Sequence, residues 1–122
     1  MRPTILIANS DVDRSAPLAK ELREYAHSVV ITGDLRDLQN AVAKHRPDVI
    51  VADLETVSYA TVAELRKAFA HVNVVCTHRV PDEQMWAAAL EAGASDCCCV
   101  ADLDDIARAA LGRPYRVRRQ AA

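Results

Sequence analysis

Three apolar runs in this 122-residue chain end in residues able to do chemistry. "ILIA" at 5–8 leads into Asn9-Ser10-Asp11, "VIVA" at 49–52 into Asp53, and "VNVVC" at 72–76 into Thr77-His78. Carboxylate, amide, hydroxyl and imidazole groups are thus placed at the ends of candidate strands, where ligands and catalytic groups gather in α/β proteins. A second set is thiol-based: Cys76 and the consecutive Cys97-Cys98-Cys99. Thiolate and imidazole are good Zn²⁺ ligands, and Cys76 and His78 would approach the triplet if their strands were neighbours. However, alternate strand residues face opposite ways, so Cys97 and Cys99 share one face and Cys98 takes the other. No paired C-x₂-C spacing is present, and free cysteine packs as a small hydrophobe. Core packing is the expected role of these thiols, with metal binding or redox sensing as the alternative.

Five strands are predicted, at 4–8, 28–32, 48–53, 72–77 and 95–100, with starts 24, 20, 24 and 23 residues apart. That spacing suits βα units rather than hairpins. "TILIA", "SVVIT", "DVIVAD" and "VNVVCT" are continuously apolar, not alternating, as strands covered on both faces must be. Between them lie helical patterns. Leu18, Leu22 and Ala26 recur at i+4, and Pro17, lacking an N–H, is expected in the first turn of a helix that starts near 13–15. Asp34 is a candidate cap ahead of Leu35, Leu38 and Val42, and Ser58 or Thr61 ahead of Val62, Leu65 and Phe69. Pro81-Asp82-Glu83 opens a fourth helix that Gly93 ends, its buried stripe expected at Ala87, Leu90 and Ala94. Asp102 caps a fifth, at 103–111, ending at Gly112 with Pro114 beyond. Five right-handed βα units make an α/β, doubly wound five-stranded parallel sheet, order 2-1-3-4-5, with helices on both faces. In that order the ligand site lies at the carboxyl ends of strands 1 and 3, selecting Asn9, Ser10, Asp11 and Asp53. Thr77-His78 and Val100-Ala101 share the rim.

The length fits one domain with a real core, assigned to 1–112, followed by a basic tail at 113–122, "RPYRVRRQAA". Hydrophobic residues make up 51% but aromatics only 4%, so the core must be built from Val, Ile, Leu and Ala. A net charge of −2, from 15 basic and 17 acidic residues, gives no global pull toward nucleic acid or membranes. No apolar run approaches the roughly 18 residues of a membrane span, and the start does not resemble a signal peptide. A reducing, cytoplasmic setting is expected.

From residue 4 to 111 the sequence resembles the receiver domain of bacterial response regulators, the CheY-like fold. "RPDVIVADL" is similar to that family's third strand, which ends in its phospho-accepting aspartate, here Asp53. "NVVCTH" ends in the family's hydroxyl residue, here Thr77, while "ALEAGASD" and "DLDDIARAAL" match the lead into strand 5 and the last helix. Departures fall on the chemistry. Receivers usually carry two acidic residues after strand 1, where this chain has Asn9 and Ser10, with Asp11 one step further. They usually carry Lys-Pro after strand 5, where Val100 and Ala101 stand. The usual strand-5 aromatic aligns with Cys97, and "ETVSYAT" replaces a Pro-Gly loop.

Phosphoryl transfer to an aspartate needs positive charge to meet the charge building on the phosphate oxygens. The resemblance implies that a Mg²⁺ ion and the lysine supply it in receivers. Here the weak Mg²⁺ candidates are Asp53, Asp11 and the backbone of Glu55, with Asn9 offering a carbonyl and Ser10 a hydroxyl; no other cofactor is expected. Removing such electrostatic groups costs about 2.7–4 kcal/mol each. The expected function is therefore a phosphorylation-independent pseudo-receiver: a non-enzymatic protein-interaction module of two-component signalling, partnered by a histidine kinase or a downstream effector. The alternative is a response regulator phosphorylated on Asp53 with weak Mg²⁺ binding. A flavodoxin-like small-molecule binder is more remote, because no G-x-G-x-x-G or P-loop occurs. His78 is expected to crowd the rim beside Thr77. Trp86 is read either as a staple over strand 5, filling space left at Cys97, or as a binding hot spot. With Met85 and Cys97 it marks helix 4, strand 5 and helix 5 as the favoured contact or homodimer face.

Overall fold

The computed structural model describes residues 2–112; the basic tail expected at 113–122 lies outside the described residues. Five parallel strands, β1 (Thr4–Ala8), β2 (Ser28–Thr32), β3 (Val49–Asp53), β4 (Asn73–His78) and β5 (Asp96–Cys99), form one sheet in the order β2-β1-β3-β4-β5. They alternate with α1 (Val12–Leu22), α2 (Leu38–His45), α3 (Tyr59–Ala68), α4 (Glu83–Ala92) and α5 (Leu103–Leu111). The fold class and strand order are those expected from the spacing of the apolar runs.

Alternation along the strands divides the core in two. Leu6, Ile50, Ala52, Val74 and Cys76 pack with Leu38 and Val42 of α2, Val62 and Leu65 of α3 and Ala89 of α4. Ile5, Ile7, Val49, Val51, Val75 and Cys98 pack with Leu18, Ala19 and Leu22 of α1 and Ile106, Ala107 and Ala110 of α5. Every residue of the central strand β3 is buried, which is why its sequence is unbroken by polar residues until Asp53. The thiols divide as the alternation requires, with Cys97 in the first layer and Cys98 in the second.

Helix ends follow the local chemistry. Asp11, Ser58, Asp82 and Asp102 cap α1, α3, α4 and α5 through side-chain oxygens that accept from backbone N–H groups. Gly93 and Gly112 close α4 and α5 in the left-handed region. Three expectations need correction. First, α1 begins at Val12, so Pro17 falls in its sixth position, beyond the first turn. The Asp11 cap, which starts the helix one residue before the expected window, fixes that register. Second, Asp34 caps a short 3-10 turn, Leu35–Asp37, and α2 follows from Leu38; Leu35 is left exposed. Third, Ala87 of α4 is exposed and Leu90 half-buried, while Ala89 is the buried position. The helix is rotated so that Met85, Ala89 and Ala92 meet the core.

Candidate functional site

The carboxyl ends of β1 and β3 diverge around a cleft of about 270 Å³ lined by Asn9, Ser10, Asp11, Arg14, Asp53, Glu55, Thr56 and Arg79. Parallel pairing puts Ala8 of β1 beside Ala52 of β3, and Asp53 beside Thr77 of β4. The next residues of each chain segment are thereby delivered to one rim.

Asp53 is 5% exposed. Its Oδ1 accepts from Thr77 Oγ1 at 3.0 Å and its Oδ2 from the Glu55 N–H at 3.2 Å. Burial pushes its pKa above the ordinary carboxylate value; the Thr77 and Glu55 hydrogen bonds pull the other way, Glu55's charge adds to the rise, and His78 offsets it least. No lysine or arginine figures among these influences. Val100 is buried, and its N–H donates to the His78 carbonyl at 2.9 Å; an alkyl side chain there offers Asp53 no cation.

Asn9 is 3% exposed. Its carbonyl oxygen accepts from the Asp11 N–H at 2.8 Å, which fixes the amide orientation and leaves Nδ2 buried without a partner among the described residues. The carbonyl expected to serve a metal is therefore occupied, and the group left over is a donor. Ser10 takes the Thr56 hydroxyl: its N–H donates to Thr56 Oγ1 at 3.1 Å, and the two hydroxyls are 3.1 Å apart. Asp11 is engaged as a cap, through Oδ1 to the Asp13 N–H at 3.0 Å, and through Oδ2 to Arg14 Nε at 3.1 Å. Glu55 is held by Arg79 in a two-point fork, Nε to Oε1 at 2.8 Å and Nη2 to Oε2 at 2.9 Å. That pairing holds the Glu55 carboxyl below its usual range.

Mg²⁺ asks for an octahedron of oxygens, typically with one or two carboxylates. Asp53, Asp11, Glu55 and Asn9 do come to one cleft. As arranged, the Asp11 and Glu55 carboxylates are paired with Arg14 and Arg79 and Asn9 Oδ1 accepts from the Asp11 N–H, so a Mg²⁺ ion held by Asp53, Asp11 and the Glu55 backbone would compete with these contacts. Among the described residues, Asp53 is the one carboxylate of the three outside an ion pair. The cysteines fare no better: Cys76 pairs with Cys97 and His78 with Cys99 in the β4–β5 register, yet among the described residues no group of three or more His, Cys, Asp or Glu side chains is placed to hold a metal. Burial pushes Cys76 and Cys98 up to about 12, the behaviour of thiols used for packing.

Other predicted residues separate. His78 does not line the cleft; its Nδ1 accepts from the Val80 N–H at 3.1 Å, so crowding at the rim comes from its neighbour Arg79 instead. On another face, Trp86 and Cys97 line one shallow groove with Pro81, Asp82 and Glu83. Trp86 is 48% exposed and donates from Nε1 to Asp96 Oδ1 at 3.1 Å, whereas Met85 turns inward onto the core. Sequence reasoning missed Arg14, Thr56 and Arg79. Arg79 directly follows the Thr77-His78 pair already assigned to the rim, and Arg14 stands one helical turn from Asp11; both signals were available.

No family model and no curated protein sequence matches the chain. Its fold does match solved response-regulator structures. A response regulator from Thermotoga maritima superposes with a TM-score of 0.79 at 15% identity, covering 88% of this chain and 93% of the other. One from Chloroflexus aurantiacus gives 0.78 at 20% identity, covering 93% and 100%. An atypical orphan response regulator, described as having a phosphorylation-independent regulatory mechanism, gives 0.78 at 14% identity, covering 90% and 93%. The chain thus has the CheY-like fold of receiver domains. Among its described residues, no helix is long and apolar enough to cross a membrane.

Proposed function

We propose that this chain is a receiver-type module of two-component signalling that works by docking to a protein partner and does not depend on phosphate at Asp53. One observation carries the reading: Val100 stands where receivers usually have lysine, and the two arginines that share the cleft with Asp53 are paired with Asp11 and Glu55. With no unpaired cation among the described residues of the cleft to meet the developing charge, phosphoryl transfer to the carboxylate loses stabilisation. Regulation without phosphate has a parallel in the similar fold of the atypical orphan regulator, whose mechanism is described as phosphorylation-independent. The proposed contact face is α4–β5–α5, where Trp86 stands half-exposed, and the proposed partners are a kinase, an effector or a second copy.

Thr77 favours the second reading, a slow phospho-acceptor, since its hydroxyl already contacts Asp53. The two are separated by incubating the protein with acetyl phosphate and Mg²⁺ and weighing it intact. No mass gain supports the docking module. A stoichiometric gain of one phosphoryl group, lost in Asp53→Ala, establishes the phosphate switch instead.

A further inference from the structure

β2 is an edge strand, paired with β1 alone. The Asn9 N–H donates to the Thr32 carbonyl at 3.0 Å, and along a parallel strand alternate residues turn their backbone groups to opposite sides. The N–H and C=O groups of Val29 and Ile31 therefore point away from β1, along the free edge. Natural edges are blunted by charge, proline or a bulge. β2 has none of these: its sequence is SVVIT, and its register runs unbroken from Thr4–Ser28 to Ala8–Thr32. Three of the six exposed large hydrophobic residues among those described gather here. Ile31 is 40% exposed and Leu35 43%; Val12, at 72%, lies two residues beyond Ser10, against which Gly33 packs.

The flanking charges indicate what meets this edge. Arg23 and Glu24 precede the strand, and Arg36 and Asp37 follow it, all exposed. An antiparallel second β2, related by a two-fold axis at Val30, sets Val29 opposite Ile31. It also carries Arg23 toward Asp37 of the second copy and Glu24 toward its Arg36, because the members of each pair are equidistant from Val30. Parallel pairing would instead oppose like charges. We infer that β2 is a self-association edge, at which two copies join through antiparallel strands and each Val29–Ile31 pair exchanges both N–H···O=C bonds. Only a five-residue strand and its flanks meet, so the contact belongs to the small, transient end of interface sizes. β2 and β5 are opposite edges of the sheet, so this surface is separate from docking on the α4 face. Any association through α4 adds a second, Trp86-dependent step.

The test is made in the Trp86→Ala background, which removes that step. Sedimentation equilibrium up to about 1 mM chain is combined with amide hydrogen exchange at Val29 and Ile31. A concentration-dependent dimer is expected, with both amides slowing as it forms. Ile31→Pro, which removes an outward N–H, and Ile31→Lys should each abolish it with the far-ultraviolet circular dichroism unchanged. Arg36→Glu and Glu24→Arg should each weaken it by up to about 30-fold, two exposed ion pairs per dimer. An equal mixture of those two variants should regain it, since every mixed contact opposes Glu to Arg. A monomer at about 1 mM, a dimer whose Val29 and Ile31 amides stay open, or a dimer that survives both Ile31 substitutions overturns the edge. No recovery in the mixture overturns the antiparallel register. Slowing of the two amides only in cell extract hands the edge to another protein's strand and overturns the second copy.

Discussion

At Asp53 a buried carboxylate and its hydrogen bonds pull in opposite directions, and that balance can be measured. Its pKa lies above the ordinary 3.8 because desolvation outweighs the bonds from Thr77 and Glu55. The folded protein therefore binds this proton more tightly than the unfolded chain does. Asp53's contribution to stability is complete below the unfolded value and is lost as pH rises through the folded one. Thr77→Val removes the stronger of the two bonds that lower it. The Asp53 pKa, read by ¹³C NMR titration of its side chain, should rise further, and urea unfolding at pH 7 should show a loss of about 1.5–3 kcal/mol, the worth of a hydrogen bond to a charged group. An unchanged or lower pKa would mean that Thr77 does not support the carboxylate. Asn9 makes the complementary case. Asn9→Asp replaces an amide that offers N–H with a second carboxylate beside Asp53. Mg²⁺ affinity by calorimetry should rise by about tenfold or more. Types of residue at the rim were readable in the sequence, but which atoms remained free was not. That depends on the Asp11 N–H claiming the Asn9 carbonyl, a contact set by the turn into α1.

Helix and strand assignments were legible where one local signal dominated: capping side chains before α3, α4 and α5, glycines after α4 and α5, and unbroken apolar runs in β1, β3 and β4. They failed where one signal was read alone. Pro17 set the expected late start of α1, whereas the Asp11 cap sets the observed early one. The cap prevailed, because Asp11 binds both the Asp13 N–H and Arg14 while packing of Leu18 and Leu22 holds the rest of the helix. The consequence is an interior proline with no N–H for the Asp13 carbonyl. Pro17→Ala should therefore stabilise the protein. An interior proline costs about 3 kcal/mol, offset by about 0.4–1 kcal/mol of unfolded-state entropy that proline removes; a gain of about 2–2.6 kcal/mol in chemical denaturation is expected. No gain would show that α1 bends to accommodate the ring. The rotation of α4 has a different origin: Ala87 and Ala89 are chemically identical, so composition cannot say which faces the sheet, and the packing of Met85 and Ala92 on the core decides.

For the molecule as a whole, the sheet places two features on separate surfaces: a polar cleft at the carboxyl ends of β1 and β3, and a half-exposed tryptophan on α4. The two roles weighed for Trp86 differ in what its removal does. A staple over β5 contributes to folding: truncating a packed aromatic costs about 3–5 kcal/mol when fully buried, less in proportion to its exposure. A docking anchor contributes to association: hot-spot residues lose about 2 kcal/mol or more of binding, some 30-fold in affinity, with folding little changed. At 48% exposure, with its indole N–H tied to Asp96 at the strand edge, Trp86 is held in place while one side of the ring faces solvent, which is the arrangement of an anchor pre-positioned for contact. Trp86→Ala is accordingly expected to lower unfolding stability by no more than about 1.5–2.5 kcal/mol, the share that its half-burial accounts for. In the same preparation it should weaken self-association in analytical ultracentrifugation, or capture of the cognate kinase or effector, by about 30-fold. Asp96→Asn supplies the control, because it keeps an acceptor for the indole and the shape of the face. Large destabilisation with unchanged association would assign Trp86 to the scaffold and move the docking surface elsewhere on the fold.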